Sequence, residues 1–217
     1  MCSALADPRV PDRDLATHAR IRDAAIRVFG ERGFAAGVRT IAAAAHVSPG
    51  LVNHHFGSKD GLRAACDAQI RELITTVKRE ALDSPGPAGM LAALAEVEDY
   101  APIAAYVVRS FQSGGEFARA LFEQMVADAD RLLAEGVAAG RFTPSRDPAA
   151  RARYLTQASV GSMLIGMQMN TKPDAPPDFR RAIRDLATAT TLPALELYTE
   201  GLFTDRSVLD AFLDSQE

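Results

Sequence analysis

Apolar residues recur three and four positions apart through almost the whole chain, and no stretch alternates apolar and polar in the manner of a half-buried strand. That spacing gathers the apolar side chains of each segment onto one helical face, which must then be covered by other helices, so the expected fold is all-α. The first segment, Ala16 to Arg32, aligns Ile21, Ala24, Ala25, Val28 and Phe29, and Gly33 follows as a stop. Two very short helices come next, Val38 to Ala45 and Ser48 to His55, with His46-Val47 as their only connection. From Lys59 a longer helix carries Leu62, Ala65, Cys66, Ile70, Leu73 and Val77 as far as the break Ser84-Pro85-Gly86-Pro87.

The remainder reads as a larger helical body. Helices are expected from Ala88 to Asp99 and from Pro102, well suited to a first helical turn, to Phe111. After Ser113-Gly114-Gly115, a long helix spaces Phe117, Leu121, Met125, Ala129 and Leu132 until Gly140 and Pro144 end it. Pro148 opens a helix through about Asn170, Pro173 to Pro177 forms a loop, and a last long helix starts near Asp178. Along it Phe179, Ile183, Leu186, Thr190, Leu197 and Gly201 follow one face, although Pro193 removes a backbone hydrogen bond and should kink or split the helix. A short tail helix, Ser207 to Leu213, is placed to cap the bundle.

Charge separates these two parts. Residues 1–63 hold nine Lys and Arg against six Asp and Glu, a net of +3, and all four His (His18, His46, His54, His55); residues 64–217 hold fifteen against twenty-two, a net of −7. A basic head on an acidic body points to an anionic partner for the head alone, the competing explanation being chance asymmetry. The expected organisation is a disordered arm over 1–15, a head over 16–62 and a body over 63–217. Cys2 and Cys66 are too few for a disulfide framework or a Cys-based zinc site, and the N-terminal segment lacks the basic start and apolar run of a secretory signal, so a reducing, cytoplasmic setting is expected. The uncharged stretch Tyr154 to Thr171 contains Thr156, Gln157, Ser159, Ser162, Gln168 and Asn170, which suits a buried helix and not a membrane span.

Two short helices on a tight turn, braced before and after by longer ones, form a helix-turn-helix whose second helix would enter the major groove. Ser48 can cap that helix and Pro49 fits its first turn. Val47, Val52 and Phe56 should face the core, which leaves Pro49, Gly50, Leu51, Asn53, His54 and His55 outward. The run Ile21 to Leu62, above all Ala24-Ala25, Phe29, Gly33-Phe34, Ile41-Ala42, Val47-Ser48, Gly50, His55-Phe56, Ser58-Lys59 and Leu62, resembles the DNA-binding domain of the TetR family of transcriptional regulators. The resemblance covers about a fifth of the chain.

It implies that the Ser48 to His55 helix reads DNA, that His55 touches a phosphate and that Lys59 grips the backbone, with Arg39, Thr40, Ser48, Pro49, Gly50, Leu51, Asn53 and His54 completing the DNA-facing set. Elementary chemistry agrees: Lys59 adds a cation where free N–H groups at a helix start already favour an anion, Asn53 can read a base edge or bond a phosphate, and Leu51 can meet a thymine methyl. Three positions depart from the family pattern. Asn53 stands where a phosphate-contacting Tyr is usual, Gly37 where a capping Thr is usual in a loop one residue longer, and His46 where the turn usually has Gly. These departures leave open an alternative, a ligand-binding or partner-docking module whose head no longer binds DNA.

By the same resemblance the body binds a small effector and forms a homodimer on a palindromic operator, through the last two long helices; repression relieved by the effector is the expected regulation. Met90, Tyr100, Tyr106, Phe111, Phe117, Phe122 and Met125 can line an apolar pocket, though such residues also fill any helical core. Tyr106 and Arg109 are the first candidates to orient a ligand, with Phe122, Met125, Gln157 and Gln168 beside them. Ser159, Gly161, Ser162 and Gly166 would let one helix approach another closely, in a dimer or within the core. No Gly-rich phosphate loop, zinc-binding His pair or nucleophile elbow is present, so neither an enzyme nor a cofactor or metal is expected.

Overall fold

The computed structural model describes residues 12–83, 89, 92, 95–169 and 178–216. All the regular elements among them are helical: α1 (Asp12–Arg32), α2 (Val38–Ala44), α3 (Pro49–Phe56), α4 (Lys59–Asp83), a 3-10 turn (Val97–Tyr100), α5 (Ala101–Ser113), α6 (Glu116–Ala138), α7 (Pro148–Met169), α8 (Phe179–Thr199) and α9 (Ser207–Asp214). Gly33 stops α1 as expected, taking φ 77° while its N–H donates to the Phe29 carbonyl at 2.8 Å.

Four features differ from the sequence expectation. α1 begins at Asp12, four residues early; Asp14 in its first turn suits the positive end of a helix and faces the end of α3. The end of the expected Ala88 to Asp99 helix is a 3-10 turn; residues 88, 90, 91, 93 and 94 of that span, Met90 among them, lie outside the described residues, as do the Ser84 to Pro87 break and the Pro173 to Pro177 loop. Pro193 does not split α8; the residue four before it, Ala189, whose carbonyl would otherwise accept from position 193, lies on the exposed side of the helix, where a lost backbone bond costs little. Lastly, α9 does not cap the bundle with its apolar face: Val208, Leu209 and Phe212 are exposed.

α1, α2, α3 and α4 pack on one another, and α1 also lies along α5; α6 pairs with α7, and α7 with α8. One continuous core results. Ile21, Ala25, Phe29, Ile41, Val52, Leu62, Cys66 and Ile70 from the first four helices share it with Tyr106, Val107 and Leu121 from α5 and α6. α4 crosses the expected 62/63 boundary and supplies Leu62 on one side, Cys66 and Ile70 on the other. A smaller cluster of Ala101, Val108, Met167, Ala182 and Ile183 joins α5, α7 and α8.

Gly30 sets the distance between α1 and α5. A Cβ there would lie 2.9 Å from the Ala105 Cβ and 3.2 Å from the Tyr106 nitrogen, so only glycine allows this contact without displacement.

Candidate nucleic-acid interface and effector cleft

The presentation of α3 follows from its cap and its anchor. Ser48 holds extended backbone at the N-cap, and its Oγ accepts from the Leu51 N–H at 3.2 Å, while Pro49 occupies the first turn, where a missing N–H costs nothing. Val52 is buried against the core, and Val47 and Phe56 pack beside it, as their spacing predicts. The outward face then carries Pro49, Gly50, Asn53 and His54, all exposed, with Leu51 half-buried.

The turn before α3 closes through the His46 N–H to the Ala43 carbonyl at 3.2 Å and the Val47 N–H to the Ala42 carbonyl at 3.0 Å. His46 has φ 55°, the left-handed conformation that its position requires and that a glycine adopts without strain. α2 has Gly37 at its N-cap with no side-chain bond; Ile41 and Ala42 are buried, Arg39 is exposed and Thr40 half-buried. Ser58 caps α4 by accepting from the Gly61 N–H at 3.0 Å, so Lys59 sits on the first turn of a capped helix. The start of α4 and the exposed face of α3 thus offer a cation, an amide and an imidazole to solvent within one short stretch of chain.

His55 is a correction. The helical spacing places it outward, but its side chain is only 6% exposed and its Nε2 lies 3.4 Å from Asp14 Oδ1. α1 packs over the end of α3 there, with His18 beside the His55 ring, and its early start adds Asp14. The His18 ring stacks on Phe56 with centroids 4.3 Å apart. Burial, then the neighbouring His55 and Arg22, hold the His18 imidazole below its usual pKa against the opposing pull of Asp14.

Among the effector candidates, Tyr106 is also corrected. It is fully buried, and its hydroxyl donates to Asp67 Oδ1 at 2.5 Å. Arg63 bonds the same carboxylate oxygen at 3.1 Å and stacks over Phe34, two residues after α1, with Cζ 3.1 Å from the ring centroid. Burial and the Asp67 bond push the Tyr106 phenol far above its usual pKa. Tyr106 therefore ties α5 to α4 and does not line the cleft that holds Arg109. Phe122 carries the Arg153 guanidinium over its ring, and Arg153 is held by Glu123 at 2.6 and 3.1 Å; Met125 packs on the core, and Gln157 is exposed on α7.

Arg109 and Gln168 do come together. They line a cleft of about 290 Å³ with Val108, Gln112, Met167 and Phe179, where α5, α7 and the start of α8 meet. Arg109 reaches further, donating from Nε to the Gly30 carbonyl at 3.1 Å and from Nη2 to the Glu31 carbonyl at 3.3 Å, the last turn of α1. Sequence reasoning missed Gln112 and Phe179, and it missed the Phe34, Arg63 and Asp67 tie; their partners are distant in sequence, and no local pattern marks them.

A third surface is apolar and uncovered. Tyr154, Ile165 and Met169 on α7, Leu192, Leu195 and Tyr198 on α8, and Leu202, Phe203 and Phe212 beyond are all more than 40% exposed. Among the described residues no helix is long and apolar enough to cross a membrane.

Residues 21–66 match the family model of bacterial regulatory proteins of the tetR family, and residues 98–204 match that of the tetracyclin repressor-like C-terminal domain. The HTH-type transcriptional regulatory protein RaaS of Mycobacterium tuberculosis is 53% identical over 200 residues, covering 92% of this chain and 93% of its own. The chain belongs to the TetR family. It is a transcriptional regulator of that family, with a DNA-binding helix-turn-helix and a helical C-terminal domain. Solved TetR-like folds superpose along most of its length: Salmonella enterica GusR with TM-score 0.60 and 24% identity, over 89% of this chain and 98% of that one, and Bacillus subtilis FadR in complex with stearoyl-CoA with TM-score 0.60 and 17% identity, over 86% and 100%.

Proposed function

We propose that this TetR-family regulator acts as a homodimeric repressor that sits on an approximately palindromic operator and leaves it when a small molecule binds the body. The observation that carries the reading is the exposed row Pro49, Gly50, Asn53 and His54 on a capped, core-anchored α3, with Lys59 at the next helix start. Asn53 and Leu51 are the base-reading candidates, and Arg39, Thr40, Ser48 and Lys59 the phosphate-facing ones. His55 backs this surface from within, its ring packed beside His18 and Phe56 at the end of α3. The uncovered apolar side chains of α7 and α8 are the proposed dimer seam, since a face of that extent is unfavourable in water and closes on its own copy about a two-fold axis. Two α3 helices then meet successive major-groove faces. A regulator of this kind works in the cytoplasm, beside the chromosome.

The second reading, a module with a silent head, is favoured by Gly37, which gives α2 no side-chain cap and no hydroxyl for a phosphate. Selection of duplexes from a random pool, followed by affinity against salt, separates the two. A palindromic consensus with a steep salt slope is the expected result; an absence of enrichment would leave the silent-head reading in its place.

A further inference from the structure

We propose that the cleft between α5, α7 and the start of α8 is the effector site of this regulator, that it takes a small amphipathic carboxylate, and that the carboxylate works by drawing Arg109 off the reading head. The inference rests on the regulator reading for its consequence, though not for its chemistry.

The lining defines the ligand. Val108, Met167 and Phe179 give apolar walls, Gln112 and Gln168 give amides, and Arg109 is the single charged side chain of the set. A planar guanidinium among neutral donors selects an anion, and a carboxylate matches its fork. At about 290 Å³ the cleft lies near the lower end of the ~300–1,000 Å³ range of ligand pockets, which suits one ring or a short chain.

Arg109 is also the link to the head. The three oxygens it binds are all neutral: the Gly30 and Glu31 carbonyls and, at 3.3 Å, Gln112 Oε1. Of its five N–H groups two are left for a ligand. A carboxylate is the stronger acceptor and competes directly with the two α1 carbonyls. The competition takes place where displacement matters most, because Ala105, one turn before Arg109 on α5, is the residue against which Gly30 is packed without room for a methyl group. With Arg109 on α1, the last turn of α1 is tied to α5 by two hydrogen bonds as well as by packing; with Arg109 on the ligand those bonds are lost, and α1 with the α3 it supports can shift against the body. Ligand and operator then bind antagonistically, each weakening the other by the same factor.

The test uses the full chain, 15N-labelled, titrated with 4-phenylbutanoate and 2-naphthoate and with their carboxamides. The acids should bind saturably and the amides about tenfold more weakly or less. The amide resonances of Glu31 and Arg32, whose nitrogens share peptide units with the Gly30 and Glu31 carbonyls, should shift with the same midpoint. Arg109→Gln should abolish the preference for the acid. Gln168→Leu, which touches no α1 carbonyl, should weaken acid binding several-fold and covers the case in which the Arg109 variant does not fold. Equal binding of acid and amide, no binding of any acid, full binding to Gln168→Leu, or silent Glu31 and Arg32 resonances would each overturn the proposal. If the acids bind and move α1 but no operator is selected, the site stands and the regulator reading fails; an operator with no acid bound gives the reverse.

Discussion

Replacing Gly30 by Ala sets two known effects against each other at one atom. Ala is the better helix former by about 1 kcal/mol, so at an open helical site the change would stabilise. Here the new Cβ lands 2.9 Å from the Ala105 Cβ and 3.2 Å from the Tyr106 nitrogen, and the second of these is backbone that cannot rotate away. Forcing a methyl group into such a contact costs about 1–3 kcal/mol. The net expectation is destabilisation by about 1 kcal/mol, read as a lower urea midpoint at fixed protein concentration with an unchanged slope. Ala105→Gly supplies the control, since it removes the nearer contact and leaves Tyr106. In the double variant the two changes should compensate partly, with a favourable coupling of about 1 kcal/mol. A Gly30→Ala protein as stable as the parent, or strictly additive effects in the cycle, would refute the claim that α1 and α5 touch through this glycine.

The Cys66 thiol, buried at the α4 to α1 contact, is pushed up to about 12, chiefly by burial. The unfolded chain therefore releases this proton first: the stability it confers is complete below the ordinary thiol range and is lost as pH rises toward 12, and Cys66→Ala should show a shallower alkaline fall in urea midpoint. Ser48→Ala removes the α3 cap and should cost about 1 kcal/mol in the same assay; no loss would deny that Ser48 sets the start of α3. Lys59→Ala should weaken binding to every duplex and reduce the salt slope by about one phosphate, whereas Asn53→Ala should alter the selected sequence; equal loss on all duplexes for Asn53 would make it a phosphate contact.

The parts of the fold that the sequence discloses are those fixed by near neighbours. Ser48, Pro49, Val52 and Phe56 lie within nine residues, and their spacing alone places the cap, the first turn and the buried face of α3. The positive φ at His46 follows from its place between two helices. What stays hidden depends on contacts across the chain. His55 is covered because α1, some forty residues earlier, packs over the end of α3, and nothing near His55 reveals that. Tyr106 is taken from the cleft by Asp67, thirty-nine residues away, and Arg109 is tied to Gly30, seventy-nine away. Arg109 and Gln168 stand out in the sequence as polar groups in an apolar setting, a cue that survives folding because polar side chains at such positions must find a partner or a ligand.

The shared core has a consequence for anyone who would build hybrid biosensors by joining one regulator's reading head to another's sensing body. A splice at residue 62 or 63 passes through the middle of a packed interior, separating Leu62 from Cys66, and Phe29 from Tyr106. Such a hybrid inherits two half-interiors that never met. A workable graft would carry α5 and the whole of α4 along with the head, so that the smallest exchangeable piece of this protein is not its smallest recognisable motif.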